Sequence, residues 1–351
     1  MGNPCKAFFL VAVLLCVLVP CAFAAGENFS IIVLPDTQDY SENHPEIFSA
    51  QTSWIAQNKD NLNIVFVSHE GDIVHHGGIE GEWRNADRSM SILDGVVPYG
   101  VLPGNHDAAG KNGEDFYNKY FSPERFSRFP WFGGSFPEGT NNNSFQFFSG
   151  GGEDFVIVHL DFCPGPDEIA WANSVLKQNS GKRAIVTTHG FLDADGKRNA
   201  HGCGRNNGST EYIWRDLVYP NENVFLVLSG HAYGEAMRTD PNIAGKNVHQ
   251  ILSNYQTWEN GGNGFLRILE FAPGEGKIFV RTYSPYVGGF ESGAESEFVL
   301  SLEWKEGNGV PEDNFALVFS LSTLLAFAAA VVCILAWKKS RKRARGSRSR
   351  K

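Results

Sequence analysis

Cysteine is scarce in this chain of 351 residues, which has only six. Four of them lie in apolar segments near the two ends: Cys5, Cys16, Cys21 and Cys333. The body of the chain keeps Cys163 and Cys203, too few and too far apart in sequence for a structural zinc site. The end segments indicate an oxidising compartment, so a disulfide between these two cysteines is expected.

Basic side chains are also scarce outside the C-terminal tail. Residues 26–337 carry 20 Lys and Arg side chains against 39 Asp and Glu, a net charge of −19, whereas the whole chain has −9. A body this acidic repels phosphate backbones, so general nucleic-acid binding is not expected. Binding of small anionic substrates is still compatible with this charge if a metal ion supplies local positive charge.

Signs of disorder and of repetition are absent. Hydrophobic residues make up 42% of the chain and aromatic residues 13%, which excludes a wholly disordered protein and implies a sizeable core. The 38 glycines follow no three-residue period, which excludes collagen, and we find no internal repeat.

A long apolar run near the N-terminus has the features of a secretory signal. Twelve apolar residues from Phe8 to Val19 follow Lys6, and Ala22-Phe23-Ala24 is a small-x-small cleavage pattern. We therefore expect residues 1–24 to be a cleaved signal peptide. The alternative is an uncleaved anchor, but twelve residues are short for a hydrocarbon core of about 30 Å.

A second apolar run near the C-terminus predicts a membrane anchor. Residues 315–337 contain no charge and can span a bilayer, and a polar linker, 305–314, precedes them. The basic tail, 338–351, stays cytoplasmic under the positive-inside rule. We expect a single-pass type I membrane protein whose body is lumenal or extracellular; a lipid-anchor signal is the alternative, but the basic tail argues against it. Three glycosylation sequons agree with this topology: Asn28, Asn142 and Asn207.

Between the ends, short apolar segments are each followed by polar residues. They lie at 29–34, 63–67, 96–102, 155–158, 184–187 and 224–228. Amphipathic helical patterns at 46–58 and 83–93 separate the first three, and this alternation predicts an α/β fold.

Helical patterns fade after residue 245. Four further segments predict an antiparallel series of strands, and hence a second sheet packed on the first: 248–252, 265–271, 278–283 and 297–304. The Gly- and Asn-rich stretches 133–143 and 194–208 are predicted to be surface loops.

The polar residues that follow these strands carry the chemistry. They are Asp36, Gln38, Asp72, Asn105, His106, Asp107, His189 and His231. Ligand sites of open α/β sheets lie beyond the carboxyl ends of the strands. Oxygen and imidazole donors without thiolates suit Mn, Fe or Zn, and converging carboxylates repel each other unless a cation lies between them. A two-metal centre resolves this repulsion, and its natural chemistry is displacement at phosphorus.

The order of these motifs resembles a known family. Its five blocks are Asp36-Thr-Gln38, Gly71-Asp72, Gly104-Asn105-His106-Asp107, Thr188-His189-Gly190 and Gly230-His231. They are similar to the signature blocks of the calcineurin-like metallophosphoesterases, over roughly residues 29–285. The first block and Asn254-Tyr-Gln256 are similar to a subgroup with Asp-Thr-Gln in the first motif. The resemblance implies two packed mixed β-sheets flanked by helices, over residues 27–304.

The resemblance also implies a role for each residue. Asp72 would bridge two metal ions, Asp36 and Gln38 would hold the first, and the second would be held by Asn105, His189 and His231. The cofactors would be one or two divalent or trivalent ions of Mn, Fe or Zn. A metal-activated hydroxide would attack phosphorus in line. His106 would assist the leaving group.

The sequence departs from the family pattern at three positions, two at the first metal and one beside His106. Gln38 replaces a histidine, and Tyr233 replaces the second histidine of the last block, with His249 as an alternative ligand. His75 replaces a carboxylate, which leaves open what orients His106. The expected function is a metal-dependent phosphoester hydrolase whose substrate the sequence does not identify. The alternative is a non-catalytic membrane receptor or binding ectodomain on a degraded phosphoesterase scaffold.

Overall fold

Residues 26–303 are the part of the chain that the computed structural model describes. The expected signal peptide, linker, membrane helix and basic tail all lie outside this range. Within residues 26–303, no helix is both long and apolar enough to cross a membrane.

The described range alternates strands and helices. Its strands are β1 Phe29–Leu34, β2 Ile64–His69, β3 Tyr99–Gly100, β4 Phe132–Phe136, β5 Asn143–Gly150, β6 Glu153–Leu160, β7 Arg183–Thr188, β8 Val224–Ser229, β9 Gly234–Pro241, β10 Asn247–Asn254, β11 Leu266–Ala272, β12 Lys277–Ser284, β13 Gly289–Phe290 and β14 Glu297–Ser301. Its helices are α1 Gln38–Asn43, α2 Pro45–Asn58, α3 Glu80–Met90, α4 Gly113–Tyr120, α5 Pro123–Ser127, α6 Pro166–Gln178 and α7 Glu211–Ile213. Short helical turns occur at Ser91–Leu93, Asn206–Gly208, Trp214–Val218, Glu259–Gly262 and Pro273–Glu275.

The strands form two mixed sheets. Sheet I has the order β13-β12-β11-β1-β2-β3, with β14 also paired to β12, and sheet II has the order β4-β5-β6-β7-β8-β10-β9. In sheet I, β1, β2 and β3 are parallel, and in sheet II, β6, β7, β8 and β10 are parallel. The predicted architecture of two mixed sheets flanked by helices is confirmed.

Alternating side chains place each strand between two apolar layers. On β1, Phe29, Ile31 and Val33 belong to the core shared with strands of sheet II, whereas Ile32 and Leu34 face the core under α2 and α3. Both faces of β1 are therefore buried, which is why it reads as an unbroken apolar run.

The prediction for the late strands was wrong in its pairing. They do not form a sheet of their own: β10 joins sheet II beside β8, whereas β11 inserts beside β1 in sheet I. An alternating pattern specifies a strand and its buried face, but it carries no information about a partner more than two hundred residues away. The stretch 133–143, predicted to be a loop, contains most of β4.

Candidate metal centre

The parallel strands of both sheets end at one rim. Asp36 follows β1, Asp72 follows β2, and Asn105 follows β3 in sheet I, while His189 and His231 follow β7 and β8 in sheet II. Hydrogen bonds across the rim join these loops: the backbone NH of His231 donates to Asp36, and that of His106 donates to Asp72. The structure thus brings the predicted residues of both sheets together.

Three ligand atoms form the centre of this cluster. The Nε2 atom of His189 lies 3.1 Å from Oδ2 of Asp72 and 3.2 Å from Nδ1 of His231. A cation bound at about 2.0–2.1 Å to each donor would keep its ligand atoms at nearly this spacing. Asp72 and His189 are fully buried, and His231 is half-buried.

The tautomers of the two histidines are set from their far sides. Nδ1 of His189 lies 2.8 Å from the carbonyl oxygen of Glu70, and Nε2 of His231 lies 2.6 Å from that of His201. A carbonyl only accepts, so these nitrogens carry the protons and the two facing nitrogens present lone pairs. When His189 is not protonated at Nε2, two lone pairs and a carboxylate oxygen converge on one point, an arrangement that a proton or a metal cation there stabilises.

The pKa values of these residues indicate that, without a metal ion, a proton on His189 provides the positive charge at this point. Burial lowers the pKa of His189, but the charge of Asp72 and their hydrogen bond raise it by a larger amount, so that it reaches about 10. Burial by itself would raise the pKa of Asp72, yet the neighbouring His189 lowers it below its usual value. Burial and His189 lower the pKa of His231 to about 4, which keeps that ring neutral. A metal ion at this point would replace the proton on His189.

Asp36 lies beside this cluster but is already hydrogen-bonded. It accepts from the backbone NH of His231 at 3.2 Å and from Nδ2 of Asn254 at 2.8 Å. Burial raises the pKa of its carboxyl group well above the ordinary value. Gly230 permits this approach, because a Cβ there would lie 2.2 Å from Oδ1 of Asp36.

Two buried amide oxygens support the presence of a cation. The side chain of Gln38 donates through Nε2 to Oε1 of Gln256, yet its own Oε1 has no partner among the described residues. Oδ1 of Asn105 is likewise buried and unpartnered within residues 26–303. Unsatisfied buried oxygens destabilise a fold unless a ligand or ion completes them. These oxygens and the three-atom cluster fit a metal ion.

His106 is oriented by the backbone rather than by a carboxylate. Its Nδ1 donates to the carbonyl oxygen of His75 at 2.8 Å. Its Nε2 has no hydrogen-bond partner within the described range, so that atom is available to a substrate. The sequence left open which group orients His106, and in the structure this group is the main-chain carbonyl of His75.

Asp107 holds the two metal-binding loops of sheet I together. Its carboxylate accepts the backbone NH groups of Ile73, Val74 and Gly104 at 2.8–3.1 Å. Burial raises the pKa of Asp107 to about 7. Its role is structural, because it fixes the loop after β2 against the loop after β3.

The structure describes the surroundings of the two alternative ligands, His249 and Tyr233. Both ring nitrogens of His249 are used elsewhere, Nδ1 with the hydroxyl of Thr239 at 2.8 Å and Nε2 with the carbonyl of Ser301 at 2.7 Å. Tyr233 is 62% exposed. Asn254 contacts Asp36 instead, at the end of β10. The two hydrogen bonds of the His249 ring argue against this residue as a ligand, whereas the ligand role of Tyr233 stays a prediction.

Sequence reasoning gave no role to Asn254, Gln256 or Glu70. The first two lie in a block that resembles the family subgroup, which was the available signal. Glu70 is fully buried beneath the site, where it accepts from the hydroxyl of Thr187, and burial raises its pKa to about 7. Its position directly before Gly71-Asp72 gave no separate indication.

The expected disulfide is confirmed and lies next to the site. Cys163 and Cys203 are bonded, which joins the loop after β6 to the loop after β7. Phe162 packs its ring 4.8 Å from that of His231 and 5.6 Å from that of His189. The bridged loops thereby cover the sheet II side of the metal centre.

A cavity of about 190 Å³ opens beside Asn105. Its lining includes Phe162, Asp161, Glu114 and Tyr117. Oδ1 of Asp161 is buried without a partner among the described residues, and burial raises the pKa of this carboxyl to about 7. The cavity provides room for part of a small substrate next to the centre.

The three sequon asparagines differ in their surroundings. Asn28 and Asn207 are exposed. Asn142 lines the cavity, and its Nδ2 donates to Oε1 of Glu114 at 2.8 Å. An N-linked glycan on Asn142 would be attached through this same nitrogen, at the lining of the cavity.

Two mixed sheets with imidazoles and carboxylates at the ends of their parallel strands define a metallophosphoesterase-type domain. The model of the family described as calcineurin-like phosphoesterase matches residues 29–234. This is more than half of the chain, and the chain belongs to that family. The family prediction made from the five motif blocks is confirmed, and with it the prediction of a metallophosphoesterase domain.

Two similar proteins illustrate this membership. The uncharacterized protein YvnB of Bacillus subtilis (strain 168) is 39% identical over 296 residues, which are 80% of this chain and 22% of that protein. The chain thus spans about a fifth of the length of this curated relative. The structure of purple acid phosphatase PPD1 from yellow lupin (Lupinus luteus) seeds is also similar, with 14% sequence identity and a TM-score of 0.50. The superposed region covers 80% of this chain and 55% of the phosphatase chain. That likeness concerns the fold alone.

Proposed function

We propose that this protein is a metal-dependent phosphoester hydrolase. The observation that carries the proposal is the convergence of Nε2 of His189, Nδ1 of His231 and Oδ2 of Asp72, with both histidine tautomers fixed by backbone carbonyls. Family membership supports phosphorus as the centre of reaction.

Four residues would hold the better-provided ion: Asp72, Asn105, His189 and His231. A bound divalent ion lowers the pKa of water and offsets the charge of a phosphoryl group. Two imidazoles with oxygen donors suit Zn, Fe or Mn. Asp36 and Gln38 would contribute to the other, weaker position, because Asp36 already accepts from the amide of Asn254, and Gln38 already donates its amide to Oε1 of Gln256.

His106 would act on the leaving group. Its Nδ1 proton is committed to the carbonyl of His75, so Nε2 is the atom that can hold a proton for transfer. A positioned general acid contributes roughly 10²–10⁴-fold to rate. The adjoining cavity would take the alcohol side of the substrate. Asp161 and Glu114 in its lining disfavour a leaving group that carries further phosphates.

The test is metal-dependent turnover by the purified protein. Protein stripped of metal and reloaded with Mn, Fe or Zn should hydrolyse a generic phosphomonoester or phosphodiester. Asp72→Asn should lower turnover at least ~10²-fold together with metal content, and His106→Gln should lower turnover by ~10²–10⁴-fold with metal content unchanged. Asp195→Asn, in an exposed loop, is the matched control and should behave as wild type.

A second candidate is a non-catalytic binding domain on the same scaffold. It is favoured by two hydrogen bonds, from the amide of Asn254 to Asp36 and from the amide of Gln38 to Gln256. They satisfy part of the hydrogen-bonding capacity at the first metal position without an ion. Protein that holds metal at Asp72 but cleaves neither ester under any loading would support this candidate and sink the hydrolase proposal.

We also propose that the domain faces the lumen or the outside of a membrane, as a type I protein with one C-terminal span. The disulfide and the exposed sequons at Asn28 and Asn207 support this topology. A glycosidase should shift the mobility of the expressed protein, and the shift should vanish in Asn28→Gln/Asn207→Gln. Free thiols at Cys163 and Cys203 in cells would contradict the proposal.

A further inference from the structure

A second cluster of histidines and carboxylates lies on the surface beside His106. We call it the rim cluster; it consists of Asp39, Glu42, His75, His76 and Glu82. Asp39 and Glu42 come from α1, the two histidines from the loop after β2, and Glu82 from α3. The side chains of His75, His76 and Glu42 are 32%, 49% and 31% exposed, so an ion in solution can reach them.

The donor atoms of this cluster have the spacing of a metal site. Nδ1 of His75 lies 3.8 Å from Oε2 of Glu42, Nδ1 of His76 lies 3.7 Å from Oε1 of the same carboxylate, and all three residues offer a ligand atom within 4.8 Å of the others. A tetrahedral zinc ion with nitrogen and oxygen ligands at about 2.0–2.1 Å holds them about 3.4 Å apart. The two distances to Glu42 are a few tenths of an ångström longer than this spacing, and a small closure of the Glu42 side chain would bring its oxygens into range.

Further carboxylates add negative charge around the histidines. Oδ1 of Asp39 lies 3.1 Å from Nδ1 of His75, and Oε1 of Glu82 lies 3.0 Å from Nδ1 of His76. The amide of Asn43 also donates to Oε2 of Glu42, at 3.0 Å. Three carboxylates around two imidazoles give the cluster a negative charge that a divalent cation would offset.

The backbone of the two histidines is held rigidly. Oε2 of the buried Glu82 accepts the backbone NH of His75 at 2.9 Å and that of His76 at 2.8 Å. The backbone NH of Gly77 donates to the carbonyl of His106 at 3.1 Å. A site whose ligands are fixed in this way loses little conformational entropy when an ion binds.

We propose that Glu42, His75 and His76 form an additional divalent-cation site of the zinc type. This site is separate from the centre at Asp72, and an ion bound to it positions His106. The link is the carbonyl of His75, which accepts the Nδ1 proton of His106 at 2.8 Å, with the two rings 4.9 Å apart. An ion on the His75 side chain fixes the peptide that orients His106. The positioning role rests on the proposed hydrolase function; the cation site does not.

Zinc stoichiometry of the whole protein tests the site. Metal-free wild type and His75→Gln/His76→Gln are titrated with Zn²⁺ by calorimetry, and with Co²⁺ by visible absorption. The double variant should bind one equivalent fewer, or bind it at least ~10²-fold more weakly. His44→Gln is the matched control, because His44 faces the single carboxylate of Glu46 at 3.6 Å and should keep the wild-type stoichiometry. Equal stoichiometry and affinity in the double variant would overturn the proposal.

Two further measurements complete the test. Should the double variant fail to fold, Glu42→Gln must show the same loss of one equivalent. For the link to His106, removal of the rim ion should slow an ester with a poor alkyl leaving group ~10-fold more than one with a good aryl leaving group, because only the former needs a proton. Equal effects on both esters would overturn the positioning role. No turnover by wild type would reject the hydrolase function, and the zinc titration would still decide the site.

Discussion

At the scale of single residues, backbone conformation brings the ligands together. Asp72 and His231 both adopt left-handed backbone angles, with φ of 47° and 69°. Non-glycine residues in this region store strain of order 1–3 kcal/mol, which persists where the surroundings fix them. Here the surroundings are the two backbone hydrogen bonds that tie His231 to Asp36 and His106 to Asp72.

Gly104 should be required for the same close approach. A Cβ at this position would lie 2.1 Å from Oδ1 of Asp72. We expect Gly104→Ala to displace the Asp72 carboxylate and to lower metal affinity and turnover at least ~10-fold. Metal content and kcat/KM measure the effect. Gly289→Ala is the matched control, because a Cβ there meets nothing within 4 Å. Wild-type metal affinity in the Gly104 variant would contradict this account.

The sequence predicted which candidate ligands lie together at the ends of the strands, but not their hydrogen-bond partners. Asp36, Asp72 and His189 were predictable because they follow apolar strands. The contact of Asn254 with Asp36 joins residues 218 positions apart, and the orienting group of His106 is a main-chain carbonyl. Side-chain pattern carries no information about either, since the first contact depends on how the two sheets pack and the second on how two loops of sheet I meet.

At the scale of elements, the disulfide ties two loops that cover the metal centre. Cys163 and Cys203 are separated by 40 residues, and the carbonyl of His201 in the bridged loop fixes the tautomer of His231. We expect Cys163→Ser/Cys203→Ser to lower the free energy of unfolding by about 3–4 kcal/mol through the entropy of the unfolded chain. The same variant should bind metal more weakly, because His201 is less firmly placed.

Urea denaturation and metal titration measure these two effects. Cys163→Ser alone also removes the bridge, so it should match the double variant in stability. A double variant with wild-type stability and metal affinity would show that the bridge is not needed to hold the loop over His231.

Strand bounds were more predictable than strand pairing. The segment 29–34 was predicted to the residue, because both faces of β1 are buried and polar residues follow it. The segment 96–102 pairs only at Tyr99–Gly100. The insertion of β11 beside β1 depends on contacts between distant parts of the chain, and local pattern leaves such pairings open.

At the scale of the whole molecule, a phenylalanine cluster joins the two sheets. The ring of Phe155 on β6 stacks on Phe148 at 4.8 Å and meets Phe29 of β1 edge-on at 5.7 Å. We expect Phe155→Ala to lower the free energy of unfolding by about 3–5 kcal/mol. Phe290→Ala is the control: its side chain is 57% exposed, and the loss should be at most about 1 kcal/mol. Urea denaturation measures both, and equal losses would contradict this view of the interface.

A histidine buried between the sheets should make stability depend on pH. His159 of sheet II lies 3.1 Å from the hydroxyl of Ser68 of sheet I, and burial, reinforced by His69, lowers its pKa to about 3. The unfolded chain takes up a proton near pH 6.5, while the folded protein does so only near pH 3. Stability from this group is therefore complete above pH 6.5 and falls as pH decreases toward 3, by about 2 kcal/mol at pH 5.

The substitution His159→Gln isolates this contribution, because glutamine keeps a hydrogen-bonding group beside Ser68 and does not titrate. Unfolding by urea is followed between pH 7 and 4, with chelator present so that metal binding does not contribute. Below about pH 6 the slope of stability against pH should decrease by nearly 1.4 kcal/mol per pH unit, the value for one proton. An unchanged slope would mean that His159 is protonated in the folded protein, and the close contact of its ring with Gly100 would then have to open on acidification.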